Sequence, residues 1–123
     1  MAAEKLLIVE DEPRIASFLS KGLRAQGYTV EHVTTGAEGL TAARERGPDL
    51  IVLDLGLPDI DGLEVLRLLR QAGDEVPVIV LTARTDASQR AEGLSSGAND
   101  YITKPFVFGE LSARIRGRLR DRD

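Results

Sequence analysis

The 123 residues, 42% hydrophobic and 29% charged, have the proportions of one globular domain over residues 1–123, which argues against a two-domain enzyme. The absence of Cys excludes disulfides, thiol catalysis and thiolate metal sites, and a single His excludes an imidazole metal cluster. A net charge of -4 disfavours direct nucleic-acid binding, no apolar run approaches a membrane span, and the start Met1-Ala2-Ala3-Glu4 lacks a signal sequence, so a soluble, cytoplasmic domain is expected.

Leu6-Leu7-Ile8-Val9 is continuously apolar, as in a parallel strand covered on both faces. A helix from Pro13 follows, with Ile15, Phe18, Leu19 and Leu23 spaced at three and four, and stops near Gly27. The strand around Tyr28–Val33 has fewer apolar residues and suits a sheet edge. A second helix over Ala37–Arg46 carries Leu40 and Ala43 inward and ends at Gly47-Pro48. Leu50–Leu53 is the most apolar strand, with Asp54 at its end. The loop Gly56–Gly62 is rich in turn formers, and the helix behind it buries Leu63, Leu66 and either Leu69 or Leu68. A fourth strand, Val78–Leu81, ends at Thr82. The fourth helix, roughly residues 86–96, offers only Ala87, Ala91 and Leu94 at core spacing, so it is expected to be the least firmly held element. The strand Asp100–Thr103 leads to Lys104-Pro105 and a last helix with the row Leu111, Ile115, Leu119. Five strand-helix pairs predict a doubly wound α/β sheet, and the order 2-1-3-4-5 is taken by analogy.

Sheets of this kind place their ligands beyond the carboxyl ends of the strands. The residues there are Glu10-Asp11-Glu12, Asp54, Thr82 and Lys104. Carboxylates from neighbouring strands repel by roughly 4 kcal/mol at about 4 Å in an effective dielectric near 20. They suit a hard divalent cation such as magnesium, with Asp11, Asp54 and the Gly56 carbonyl as ligands and Glu10 acting through water. Asp54 is the candidate nucleophile for an aspartyl phosphate, Lys104 can meet a phosphoryl oxygen, and Thr82 can hydrogen-bond another. Taken singly, each is an ordinary turn, cap or surface residue; their coincidence at adjacent strand ends is the signal. An aspartate-nucleophile phosphatase needs a second acid two residues on, where this chain has Gly56, and no Gly-rich phosphate loop follows the first strand.

Leu6–Glu12, Pro48–Asp54, Leu57–Gly62, Leu81–Arg84, Gly97–Tyr101 and Thr103–Phe106 together resemble the signatures of the receiver domain of two-component response regulators, over essentially the whole chain. The resemblance implies a chemotaxis-receiver-like fold, phosphotransfer from a histidine kinase to Asp54, and magnesium at Glu10, Asp11, Asp54 and the Gly56 carbonyl. It implies Thr82 and Tyr101 as a switch pair and a cis bond before Pro105, in a phosphoacceptor signalling domain rather than an enzyme. The last segment looks most like the subfamily with a winged-helix DNA-binding output domain, which would carry any DNA contact. In that subfamily active homodimers form through the fourth helix, fifth strand and fifth helix; Arg90, Asp100, Glu110 and Arg114 match its charged positions, with Ala91, Leu94 and Ala113 available for apolar contact. This chain departs at Asn99, where Asp is common, and at Gly56, where a bulkier residue is common. Arg114, Arg116, Arg118, Arg120 and Arg122 are read as a solvated amphipathic helix with some charges used by a dimer partner. His32 is read as a structural edge residue, and Asp59 and Asp61 as residues that shape turns.

Overall fold

A computed structural model of the chain describes residues 3–84 and 87–122; expectations that fall on Met1, Ala2, Asp86, Asp123 and the Ala87 side chain lie outside the described residues. The elements run β1 (Lys5–Val9), α1 (Pro13–Ala25), β2 (Thr29–Val33), α2 (Gly36–Arg46), β3 (Leu50–Leu53), α3 (Gly62–Gln71), β4 (Val78–Thr82), α4 (Ala87–Ser95), β5 (Asp100–Thr103) and α5 (Phe108–Asp121). All pairings are parallel, in the order β2-β1-β3-β4-β5. The doubly wound sheet expected from the alternation of strands and helices is therefore the observed one.

The period of two along each strand sorts the core into two layers. Leu7, Val9, Ile51, Leu53, Val78 and Val80 face Ala42 and Ala43 of α2 and Val65, Leu66 and Leu69 of α3. Leu6, Ile8, Leu50, Val52, Ile79 and Leu81 face Leu19 and Leu23 of α1 and Leu111, Ile115 and Leu119 of α5. Because both faces are covered, these strands are apolar at every position but Lys5 at the start of β1 and Thr82 at the end of β4, which is why they read as continuous runs rather than as alternation.

Local chemistry fixes the helix ends. Pro13 occupies the first turn of α1, where no amide hydrogen is needed. Thr35 caps α2 by accepting from the Glu38 amide at 3.1 Å, while the Glu38 carboxylate accepts from the Thr35 hydroxyl at 3.0 Å. The φ of 54° at Gly47 ends α2.

Three apolar residues at helical core spacing, Phe18, Ala91 and Leu94, are exposed. Phe18 is 56% exposed; the stripe that faces the sheet is Ala16, Leu19 and Leu23, and Phe18 lies beside it, edge-on to Phe108 at 5.7 Å and tilted against Phe106 at 6.3 Å. In α4, Ala91 is exposed and Leu94 is 43% exposed. Among the described residues of α4 Gly93 is the buried one, because the Tyr101 ring of β5 fills the space beneath: a Cβ at Gly93 would lie 3.2 Å from two ring carbons. Of the α3 alternatives Leu69 is buried and Leu68 is exposed.

Gly62, the first residue of α3, lies against the backbone that carries the candidate nucleophile. A Cβ there would fall 2.4 Å from the Asp54 carbonyl oxygen and 2.6 Å from the Leu55 Cα, neither of which can rotate away. Gly62→Ala should therefore lower stability by about 3 kcal/mol in urea unfolding. Gly109→Ala, in open space in the first turn of α5, should not.

Candidate functional site

Four strands bring residues at or just past their carboxyl ends to one end of the sheet. The side chains of Glu10 and Asp11 after β1 and Asp54 after β3 bring one carboxylate oxygen each within 4.8 Å of one another. Glu10 is 2% and Asp54 7% exposed, whereas Asp11 faces solvent. Lys104, after β5, crosses above β4: its amide donates to the Thr82 carbonyl at 2.8 Å, and its ammonium reaches Glu10 Oε1 at 2.6 Å and Asp54 Oδ2 at 3.4 Å. The peptide bond between Lys104 and Pro105 is cis.

Charges this crowded perturb one another. Burial pushes the Glu10 carboxyl up, and neither the Lys104 bond nor the Glu12 amide bond to its Oε2 reverses that shift. Burial by itself would lower the Lys104 ammonium; the Glu10 bond and the Asp54 charge outweigh it and hold Lys104 above its ordinary value. His32, on edge strand β2, bonds the Glu10 carbonyl oxygen at 2.7 Å, the structural role read from its position.

Gly56 donates its amide to Asp54 Oδ1 at 3.4 Å. Thr82 is 1% exposed, and its Oγ accepts from the Arg84 amide at 3.4 Å. Tyr101 is 4% exposed and its hydroxyl donates to the Arg84 carbonyl at 3.3 Å, with the Arg90 guanidinium carbon 6.0 Å from its ring centroid. The structure thus brings Glu10, Asp11, Asp54, Thr82 and Lys104 to one end of the sheet and places Tyr101 behind them in the core.

The loop acids have longer reach than their turn-rich sequence suggests. Asp59 accepts from the Gly36 and Ala37 amides at 2.8 and 2.9 Å, so it binds the start of α2 from another loop. Asp61 caps α3 by accepting from the Leu63 amide at 2.9 Å, and also pairs with Arg84 at 2.9 Å.

The outer face of α4, β5 and α5 carries Arg90, Ala91, Leu94, Glu110, Ala113 and Arg114, all exposed, around the half-buried Asp100. The arginines of α5 are more engaged within the chain than a solvated helix would be. Asp100 holds Arg114 at 2.8 Å and Arg118 at 2.7 Å; Arg122 reaches Asp49 at 2.9 Å and Glu4 at 3.0 Å. Helical period places these arginines in a row and brings Arg114 onto Glu110 one turn earlier, at 3.1 Å, but Asp100, Asp49 and Glu4 come from other segments, beyond the reach of a local pattern.

Comparison with known proteins agrees with this architecture. Residues 6–116 match the family model described as the response regulator receiver domain. The transcriptional regulatory protein YkoG of Bacillus subtilis (strain 168) is 52% identical over 115 residues, which is 94% of this chain and 50% of YkoG. The chain thus spans about half the length of the curated relatives it matches. Among solved structures, the receiver domain of the Francisella response regulator 1452 superposes with a TM-score of 0.94 at 32% identity, covering 98% of this chain and 99% of that one. The receiver domain of the sensor histidine kinase PA1611 from Pseudomonas aeruginosa PAO1, solved with a magnesium ion coordinated in its active-site cleft, gives 0.88 at 34% identity, covering 98% and 100%. Among the described residues no helix is long and apolar enough to cross a membrane.

The Asp100 fork yields a pH test. Burial would raise the Asp100 carboxyl, but the bonds from Arg118 and Arg114 win and hold it below its ordinary value of 3.8. A depressed acid contributes stability above its unfolded pKa and loses it as pH falls through the folded one. Asp100→Asn should cost about 1 kcal/mol at neutral pH, discounted for the exposed arginines. Urea unfolding should show the gap between variant and parent closing as pH drops below 3.8.

Proposed function

The chain belongs to the response regulator receiver domain family, and from that premise we propose that it accepts a phosphoryl group on Asp54 from a histidine kinase in the cytoplasm. The observation that carries this reading is the meeting of Asp54, two further carboxylates and Lys104 at one end of the sheet. Three carboxylates facing one ammonium leave an excess of negative charge that a hard divalent cation matches. The residues that would hold magnesium are Glu10, Asp11, Asp54 and the Gly56 carbonyl, and the bound ion supplies positive charge against the phosphoryl oxygens. The magnesium reported in the PA1611 receiver supports the same reading.

In the transfer, an Asp54 carboxylate oxygen forms the new bond to phosphorus as the bond to the donor imidazole nitrogen breaks. The Lys104 ammonium is placed to meet one phosphoryl oxygen, and the Thr82 hydroxyl, released from its long contact with the Arg84 amide, donates to another. Moving a switch from 1:99 to 99:1 takes about 5.5 kcal/mol, within reach of two or three charge-assisted hydrogen bonds. The structure holds Tyr101 inward, the position that movement of Thr82 is expected to favour. The face remodelled by this switch carries Arg90, Ala91, Leu94, Asp100, Glu110, Ala113 and Arg114, and we assign it to homodimer formation. Similarity to a transcriptional regulatory protein of twice the length supports an output role in transcription through an attached DNA-binding domain.

A phosphodonor must also reach Asp54. Beside the site mouth, Ile15 and Phe18 of α1 and Lys104, Pro105 and Phe106 line a groove of about 540 Å³. Its shared residue, Lys104, makes the groove continuous with the acceptor site, so the kinase segment that presents the phosphohistidine is its assigned occupant.

Asp54→Asn should abolish acid-labile phosphate incorporation from acetyl phosphate, which mass spectrometry detects directly; magnesium-dependent labelling of that variant at the parent level would sink the assignment. Phe18→Ser should slow transfer from a kinase phosphohistidine by about tenfold. Its labelling by acetyl phosphate, which needs no docking, should be unchanged.

A further inference from the structure

Arg84 lies two residues beyond Thr82 and contacts the loop after Asp54, α4 and Tyr101 of β5. Its guanidinium donates to both oxygens of Asp61, at 3.2 Å to Oδ1 and 2.9 Å to Oδ2, in a two-pronged fork. The same group reaches the Leu55 carbonyl at 3.3 Å, next to Asp54, and the Gln89 side chain of α4 at 3.3 Å. Its amide donates to Thr82 Oγ at 3.4 Å, and its carbonyl accepts from the Tyr101 hydroxyl at 3.3 Å. One residue therefore bonds the nucleophile loop, α4 and both members of the switch pair.

The fork is not chiefly a source of stability. The Arg84 and Asp61 side chains are 29% and 48% exposed, and ion pairs that face water contribute little. What the fork fixes is position. With the guanidinium anchored on the loop that starts α3, the Arg84 backbone is held at the place where its carbonyl can keep Tyr101 inside. The contact with Leu55 makes that anchor sensitive to movement of the Asp54 loop.

We propose that Arg84 is a positioning residue that, through its fork on Asp61, transmits the state of the Asp54 loop to Tyr101 and α4. The inference rests on phosphorylation of Asp54 as the input. Without the fork, the Arg84 backbone shifts independently of the nucleophile loop, and Tyr101 is released from control by the acceptor site. The chemistry at Asp54 is untouched, because neither Arg84 nor Asp61 contacts its carboxylate among the bonds described.

The test compares the parent chain with Arg84→Ala, Asp61→Asn and the double variant. Asn retains an oxygen to cap α3, so Asp61→Asn removes the charge pair and leaves the helix start intact. Three readouts are taken on each: acid-labile phosphate from acetyl phosphate, the change in the Tyr101 ring resonances on adding magnesium and beryllofluoride as a stable phosphoryl mimic, and the urea midpoint. The expected result is labelling equal to the parent and a nearly unchanged midpoint, with the Tyr101 response reduced by half or more in each single variant. The double variant should be no worse than either single one, because both remove the same link. Arg84→Lys, which keeps the charge without the fork, should fall between, and it carries the test should Arg84→Ala not fold. A full Tyr101 response in the variants, two losses that simply add, or a parent chain that labels without any Tyr101 response would each overturn the proposal. A parent chain that fails to label at Asp54 instead overturns the phosphorylation reading on which it rests.

Discussion

The organising constraint of the molecule is the burial of like charge at the carboxyl end of a parallel sheet. Glu10 is almost fully buried and Asp54 nearly so, with oxygens of both near Asp11, an arrangement that no folded chain would hold without compensation. Lys104 provides part of it. Its ammonium arrives from β5, two places in the sheet from the strand of Asp54 and three from that of Glu10, and its own amide is fastened to the Thr82 carbonyl of the adjacent β4. The order of strands is thus a condition of the electrostatics: in a different order the acids of β1 and β3 would not be neighbours, and Lys104 would not cross the strand that ends in Thr82.

The rest of the fold divides into a rigid part and a loosely attached one. On one side of β5, α5 is pinned by three buried apolar residues and by the ion pairs of Arg114 and Arg118 with Asp100. On the other side, α4 meets the sheet through Gly93 against the Tyr101 ring and leaves Leu94 largely uncovered. A helix that buries so little apolar area has a small barrier to local displacement. Displacement is therefore more easily expressed in α4 than in α5, and the aromatic ring under α4 is its contact with the sheet.

Much of this was legible in the sequence because the chemistry is confined to residues at the ends of apolar runs. Glu10, Asp54 and Lys104 are one step past a strand, Asp11 is two steps past, and Thr82 closes one, so recognising the strands places the site. The failures share the opposite property. Phe18 falls at the margin of a helical stripe, and period alone does not say where a stripe ends. Among the described residues of α4 the buried one is a glycine, which a search for apolar spacing passes over; the ring of Tyr101, eight positions further on, explains it. The partners of Arg118 and Arg122, the Asp59 contact with α2 and the Arg84 fork all join segments distant in the chain. Charge and turn propensity mark such residues as polar but do not name their partners.

Asn99 shows how one neutral residue redistributes charge over the α4-β5-α5 face. Its side-chain oxygen accepts from the Val78 amide at 2.9 Å and from Arg70 at 3.3 Å, while its carbonyl accepts from Arg118 at 2.6 Å. The amide side chain is thus committed inward, to the start of β4 and to an arginine that also holds the Asp74, Val76 and Gly97 carbonyls. An acid at this position could keep the Val78 amide and Arg70 as donors, but it would also bring a second charge beside Asp100. With Asn in place, Asp100 is left as the acid that receives both Arg114 and Arg118. Any partner that pairs with this face must therefore compete for Asp100 with two arginines of its own chain, and the free energy of such a contact is the difference between exchanged ion pairs rather than the gain of new ones.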